Sequence, residues 1–135
     1  MQVQSYLFFY GRCDEALAFY ADTLGAQITF LTRFKDAPPE QGIPGWEDKV
    51  MHANFQVGET QLMASDGMGP QESSKMKGCS LSIGADSFEQ GERVFKALAE
   101  GGEVVMPYQA TFWASGFGML VDKFGVHWMV NCPDV

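Results

Sequence analysis

"FYADTLGAQITF" (19–30) and "FKALAEGGEVVM" (95–106) can be laid over one another without a gap. In each, a phenylalanine stands in the closing turns of a helical pattern and a glycine follows at the same spacing, Gly25 or Gly101. A strand pattern begins directly after it. Glycine suits the left-handed residue that ends a helix, because it carries no Cβ to clash there. Two such passages in one short chain read as one structural unit used twice.

The flanks of the two passages also match. Ahead of the first, "SYLFFYG" (5–11) alternates like a strand, and "CDEALAFYADTLG" (13–25) sets Ala16, Leu17, Phe19, Tyr20 and Leu24 at helical spacing. "AQITFLTRF" (26–34) is a strand with Ile28, Phe30, Thr32 and Phe34 on one face. "KVMHANFQV" (49–57) and "TQLMASD" (60–66) follow, joined by a tight turn at Gly58 and Glu59. In the second half "SLSIGA" (80–85) is a strand. A helix over 87–102 has Ser87 and Gln90 spaced as a capping box, with Phe88, Val94, Phe95 and Leu98 facing inward. The strands "EVVMP" (103–107), "FGMLVD" (117–122) and "VHWMVN" (126–131) complete it.

Each half therefore reads βαβββ, an α+β arrangement. One helix on one sheet face gives either half too small a core to stand alone. The expectation is one domain of two modules, 1–66 and 79–135, packed together and joined by the polar linker 67–78. The segments 35–49 and 108–116 are long loops for so small a domain, which associates them with a binding site. A surface excursion is the other reading of the first. In the second, Tyr108, Phe112 and Trp113 would be costly to leave in water.

The bulk properties remove several classes of function. Seventeen acidic residues against nine basic ones give a net charge of −8, which repels nucleic acid and anionic membrane. The chain has no apolar run approaching the roughly 18 residues needed to cross a bilayer. Its opening stretch lacks the basic and small-residue pattern of a secretory signal, so a cytoplasmic location is expected. Cys13, Cys79 and Cys132 are odd in number and widely spaced. That argues against a disulfide framework or a thiolate zinc site and for reduced, mostly buried thiols.

"YLFFYGRCDEALAFY", "DKVMHANFQVGETQLMASD" and above all "TFWASGFGMLVDKFGVHWMVN" resemble the PhnB-like branch of the vicinal oxygen chelate superfamily, the glyoxalase, bleomycin-resistance and extradiol-dioxygenase group. The resemblance spans nearly the whole chain. It implies that the two modules curl into an open, cup-like mixed barrel, usually completed as a homodimer. It also implies a divalent metal in the cup, held by His and Glu side chains from the first and last strands of each module.

Set against that pattern, this chain departs from it. Counted from the motifs, the ligand positions fall on Ser5, Met63, Cys79 or Ser80, and Met129. Divalent ions want carboxylate and imidazole, so no metal or other cofactor is expected at the usual site.

In "DKFGVHWMVN" (122–131) His127 shares a strand face with Met129. It is a candidate for substrate binding or proton transfer, or else a strand-end histidine bonded to a loop. In "VMHANFQV" the residues Val50, His52, Asn54 and Gln56 form a polar stripe, either a solvent face or a cavity wall. Asp66 has two possible partners, His52 and the turn that follows it. Trp113 and Phe112 could stack on a flat ligand, plug the core or enter a dimer interface.

The leading expectation is a homodimer binding a small, partly apolar molecule through His52, Asn54, Trp113, His127 and Met129, without the superfamily metal. The rival is a lyase, isomerase or dioxygenase-type enzyme with a relocated Fe, Mn or Zn site made of His52, His127 and Asp66 or Glu59. A structural or partner-binding dimer is a third reading. No glycine-rich strand-to-helix loop or GxSxG elbow supports a nucleotide, S-adenosylmethionine or serine-hydrolase site.

Overall fold

The computed structural model describes residues 1–38, 40, 42–69 and 76–133. The chain divides into two compact units, Met1–Ser74 and Lys75–Val135. Residues 70–75 of the expected linker lie outside the described residues.

The first unit runs β1 (Tyr6–Phe8), α1 (Cys13–Leu24), β2 (Gln27–Arg33), β3 (Val50–Val57) and β4 (Thr60–Ser65). Its sheet has the order β1-β4-β3-β2, with β1 parallel to β4 and the other pairs antiparallel. The second unit repeats the pattern with β5 (Leu81–Gly84), α2 (Phe88–Ala99), β6 (Glu103–Gln109), β7 (Ala114–Val121) and β8 (His127–Pro133), in the order β5-β8-β7-β6. The equivalence extends to single hydrogen bonds. Phe9 N–H donates to the Ser65 carbonyl and Ala85 N–H to the Asn131 carbonyl. Phe9 and Ala85 stand as far apart in the chain as Phe19 and Phe95.

Local chemistry explains the helix ends. Gly25, at φ +68°, closes α1, and its N–H bonds back to the Ala21 carbonyl. Helix α2 starts at Ser87, whose hydroxyl accepts the Gln90 N–H at 3.1 Å. The reciprocal bond of a capping box is displaced by one residue, since the Gln90 side chain takes the N–H of Asp86. At the start of α1 no local side chain caps the helix. Asp66 does so from β4's end, accepting the N–H groups of Gly11 (2.7 Å) and Cys13 (2.8 Å) on one oxygen and that of Val50 (2.8 Å) on the other. Its carboxylate is fully buried and ties three chain segments together.

In the first unit α1 packs Ala16, Leu17 and Tyr20 against β3, where the Tyr20 and Phe55 rings lie parallel with centroids 6.2 Å apart. In the second unit α2 presents Gly91, Phe95 and Leu98. Gly91, Gly116 and Gly118 leave a slot for the Tyr108 ring, whose hydroxyl donates to the Phe88 carbonyl. A Cβ at any of these glycines would collide with Tyr108.

Four expectations are corrected. The segment 108–116 is no long loop: β6 continues to Gln109 and β7 begins at Ala114. Thr111 closes the short connection, its Oγ accepting the Ala114 N–H at 3.1 Å. Phe112 and Trp113 are exposed rather than sheltered. An irregularity between Ile28 and Phe30 pairs Ile28 with Phe55 but Phe30 with Asn54, so the two do not share a face. A second one, between Thr32 and Arg33, brings Arg33 opposite Val50 and removes fully buried Val50 from the polar stripe.

Described residues in and beside 42–49 pack back on their own unit. Phe34 and Trp46 are buried, Trp46 Nε1 donates to the Gly67 carbonyl, and Lys49 Nζ donates to the Gly11 carbonyl at 2.9 Å.

Candidate functional site

Residues in register on neighbouring strands share a sheet face. In the first unit the face turned from α1 carries Tyr6, Met63, Asn54 and Phe30 across all four strands, with His52 opposite Thr32 beside them. Alternation along β3 makes the separation clean. Ala53 and Phe55 are buried on the α1 side, while His52 and Asn54 are half-buried on the other.

Three polar side chains on this open face form a chain of hydrogen bonds. The Tyr6 hydroxyl lies 2.7 Å from His52 Nδ1, and His52 Nε2 lies 2.8 Å from Asn54 Oδ1. An amide oxygen accepts only, so Nε2 carries the proton and Nδ1 is the acceptor for the Tyr6 hydroxyl. Burial pushes the Tyr6 phenol above its ordinary pKa, with a Ser65 hydrogen bond pulling in the other direction. Aromatic rings surround the network. Tyr6 stacks on Phe8 with centroids 4.9 Å apart and planes 7° from parallel, and Phe30 approaches His52 at 6.2 Å.

The second unit has a corresponding open face. Trp128 and Val130 are buried toward α2, and His127, Met129 and Asn131 alternate to the other side. Met129 stands opposite Met119 on β7 and Ser82 on β5, His127 opposite Val121, and Asn131 opposite Phe117. Trp113 meets Phe117 edge to face at 5.5 Å, and so belongs with this face. Among the described residues the His127 side chain has no hydrogen-bond partner; its partner in register is the apolar Val121. At the strand's start Asp122 holds the turn instead, accepting the N–H groups of Phe124 and Val126 and the Trp128 indole N–H.

His52 and Asn54 are thus joined in one unit, and Trp113, His127 and Met129 share a face in the other. Tyr6, a participant in this network, was not among the residues expected from the sequence. Ser5 gives its carbonyl to the Met63 N–H, while Tyr6 is the residue in register with Met63. Likewise β5 begins after Cys79 and Ser80, and Ser82 is the partner of Met129. Alternation in "SYLFFYG" was the available signal.

Tyr6 pairs with Met63 in the first unit and Ser82 with Met129 in the second, and neither pair offers the carboxylate or imidazole that a divalent ion wants. Among the described residues no three His, Cys, Asp or Glu side chains gather into a cluster. Asp66, weighed as partner of His52, as turn cap and as metal ligand, is none of these, because its oxygens serve backbone N–H groups. Ser65 takes the following turn, accepting the Gly67 N–H at 2.9 Å. Of the thiols, Cys13 and Cys132 are buried and Cys79 is exposed. Burial, reinforced by the charges of Asp66 and Asp14, pushes the Cys13 thiol far above its ordinary pKa. Among the described residues no helix is long and apolar enough to cross a membrane.

Residues 1–131 match the family model described as 3-demethylubiquinone-9 3-methyltransferase. The chain is 47% identical to protein PA1353 from Pseudomonas aeruginosa, whose crystal structure superposes with a TM-score of 0.88 over 98% of each chain. A PhnB protein from Bacillus cereus, described as a putative 3-demethylubiquinone-9 3-methyltransferase, is 28% identical at a TM-score of 0.83, over 98% of this chain and 99% of that one. Escherichia coli protein YjdN is 36% identical, over 97% of this chain and 95% of its own length. More distant structures described as glyoxalase-related and as a glyoxylase/bleomycin resistance protein/dioxygenase domain share the fold. The repeated βαβββ units, their register and these matches agree: the chain belongs to the PhnB-like, 3-demethylubiquinone-9 3-methyltransferase family and has the glyoxalase/bleomycin-resistance fold.

Proposed function

We propose that this protein binds a small, partly apolar molecule on its open sheet faces, as a cytoplasmic homodimer and without the metal usual in the superfamily. The observation that carries this reading is the first open face. There Tyr6, His52 and Asn54 form a hydrogen-bonded line among Phe8, Phe30 and Met63. Apolar surface with a few fixed polar groups is the usual composition of a small-molecule site: the first supplies affinity, the second orientation. Trp113, His127 and Met129 would offer a surface of the same kind on the second unit's own open face.

Support for the dimer comes from the outermost strands. Ile28 and Phe30 on β2, and Val104, Val105 and Met106 on β6, are exposed at equivalent places in the two repeats. Edge strands carrying such residues call for a cover, and a second copy can provide it at both.

The test is thermal melting with a panel of flat, weakly polar aromatic molecules, on the native chain and on Phe30→Ser. Stabilisation of the native chain that is lost in the variant supports the reading. A panel that leaves the native Tm unchanged contradicts it.

A further inference from the structure

The Tyr6–His52–Asn54 chain leaves one strong donor unused. Asn54 turns its Oδ1 to His52 Nε2 at 2.8 Å, and His52 is held to that arrangement by the Tyr6 hydroxyl on Nδ1 at 2.7 Å. The Asn54 Nδ2 group is then left to the open face. Among the described residues it has no hydrogen-bond partner, and no buried polar side-chain atom lacks one, so Nδ2 is open to an incoming group.

We propose that Asn54 Nδ2 reads the ligand's polarity, selecting a flat apolar molecule that carries a neutral carbonyl-type oxygen. This rests on the small-molecule reading above and narrows it to a chemical class. The neighbours of Asn54 in register are Phe30 and Met63, with the parallel Tyr6 and Phe8 rings beside them. An occupant covering Asn54 covers apolar surface on both flanks. Tyr6, Phe8, Phe30, His52, Asn54 and Met63 include no fixed charge, so a carboxylate or ammonium here would be desolvated without a counter-ion. A hydrocarbon would bury Nδ2 unsatisfied. A neutral acceptor avoids both costs.

2-Acetylnaphthalene and 2-ethylnaphthalene have the same outline and differ by a carbonyl in place of a methylene. Their dissociation constants would be measured by naphthyl fluorescence against the native protein, Asn54→Leu and Asn54→Asp. The native protein is expected to prefer the ketone by about tenfold, the ratio of one neutral hydrogen bond. Asn54→Leu removes the donor and should erase the preference. Asn54→Asp keeps the size and the acceptor for His52 but turns an acceptor to the ligand, and should reverse it. The aspartate variant also serves if the leucine variant fails to fold. Equal affinity of the native protein for both molecules, or a preference that survives in the variants, overturns the role of Asn54 and leaves the binding face standing. If neither molecule binds the native protein, the small-molecule reading falls and this inference falls with it.

Discussion

The Tyr6 hydroxyl and His52 Nδ1 are 2.7 Å apart, across strands that are not adjacent in sequence. Asn54 Oδ1, which only accepts, places the proton on His52 Nε2, and the Tyr6 hydroxyl then donates to Nδ1. Nitrogen NMR of the native protein should show His52 as the Nε2–H tautomer. In Tyr6→Phe the Nδ1 resonance should shift as its hydrogen bond is lost while Nε2 keeps the proton, with a stability loss of about 1 kcal/mol, one neutral hydrogen bond. An unchanged spectrum would remove Tyr6 from the network.

Asp66 acts at a distance on helix α1, with its carboxylate fully buried between three backbone N–H groups. Asp66→Ala should cost roughly 3 kcal/mol or more in urea unfolding, because a buried charged acceptor is lost and its donors are left unpaired. Asp66→Asn keeps one carbonyl oxygen and should fall between. Little loss in the alanine variant would show that the helix start is satisfied in another way.

The bidentate pair of Arg33 and Asp14, at 2.8 and 2.9 Å, joins the end of β2 to the first turn of α1. Hydrogen bonding from Arg33 holds the Asp14 carboxyl below its ordinary pKa. A depressed acid stabilises the fold above its unfolded pKa, and that contribution fades as pH falls through the folded value. Asp14 is half-exposed, so solvent screening limits the effect to no more than about 1 kcal/mol. Asp14→Asn should therefore be less stable than the native protein at pH 7 and equal to it near pH 2. A difference that is the same at both pH values would contradict the pairing.

Only Cys79 among the three thiols is exposed. A thiol reagent at mild alkaline pH should modify one cysteine per folded chain quickly and all three after denaturation. Rapid native modification of Cys13 would contradict both its burial and its raised pKa.

Gly118 faces Phe95, and a Cβ there would lie 2.7 Å from that ring and 2.8 Å from the Tyr108 Cα. Gly118→Ala should cost about 1–3 kcal/mol by overpacking. Gly84, with open space around it, should accept alanine with far less loss.

Local patterns made the repeat legible. Helix spacing through Phe19 and Phe95, and glycines whose φ values are +68° at Gly25 and +77° at Gly101, are written in adjacent residues. The polar stripe was partly legible, because His52 and Asn54 alternate along one strand. Val50 left it through a shift in strand pairing that the alternation does not encode. Tyr6 was missed because its role depends on the parallel register of β1 on β4, a pairing between distant segments. Asp66 was misassigned for the same reason: its partners Gly11 and Cys13 come from the other end of the unit.

The central claim, a small-molecule face without the metal that the resemblance implies, is tested most directly by elemental mass analysis. The protein would be untagged and purified without chelator from metal-supplemented medium. With Tyr6 and Met63 in register in one unit and Ser82 and Met129 in the other, none of them a carboxylate or an imidazole, the account predicts no stoichiometric Fe, Mn, Ni or Zn. Near-stoichiometric metal that disappears on replacing His52 and His127 with alanine would contradict it and make this an enzyme with a displaced metal centre.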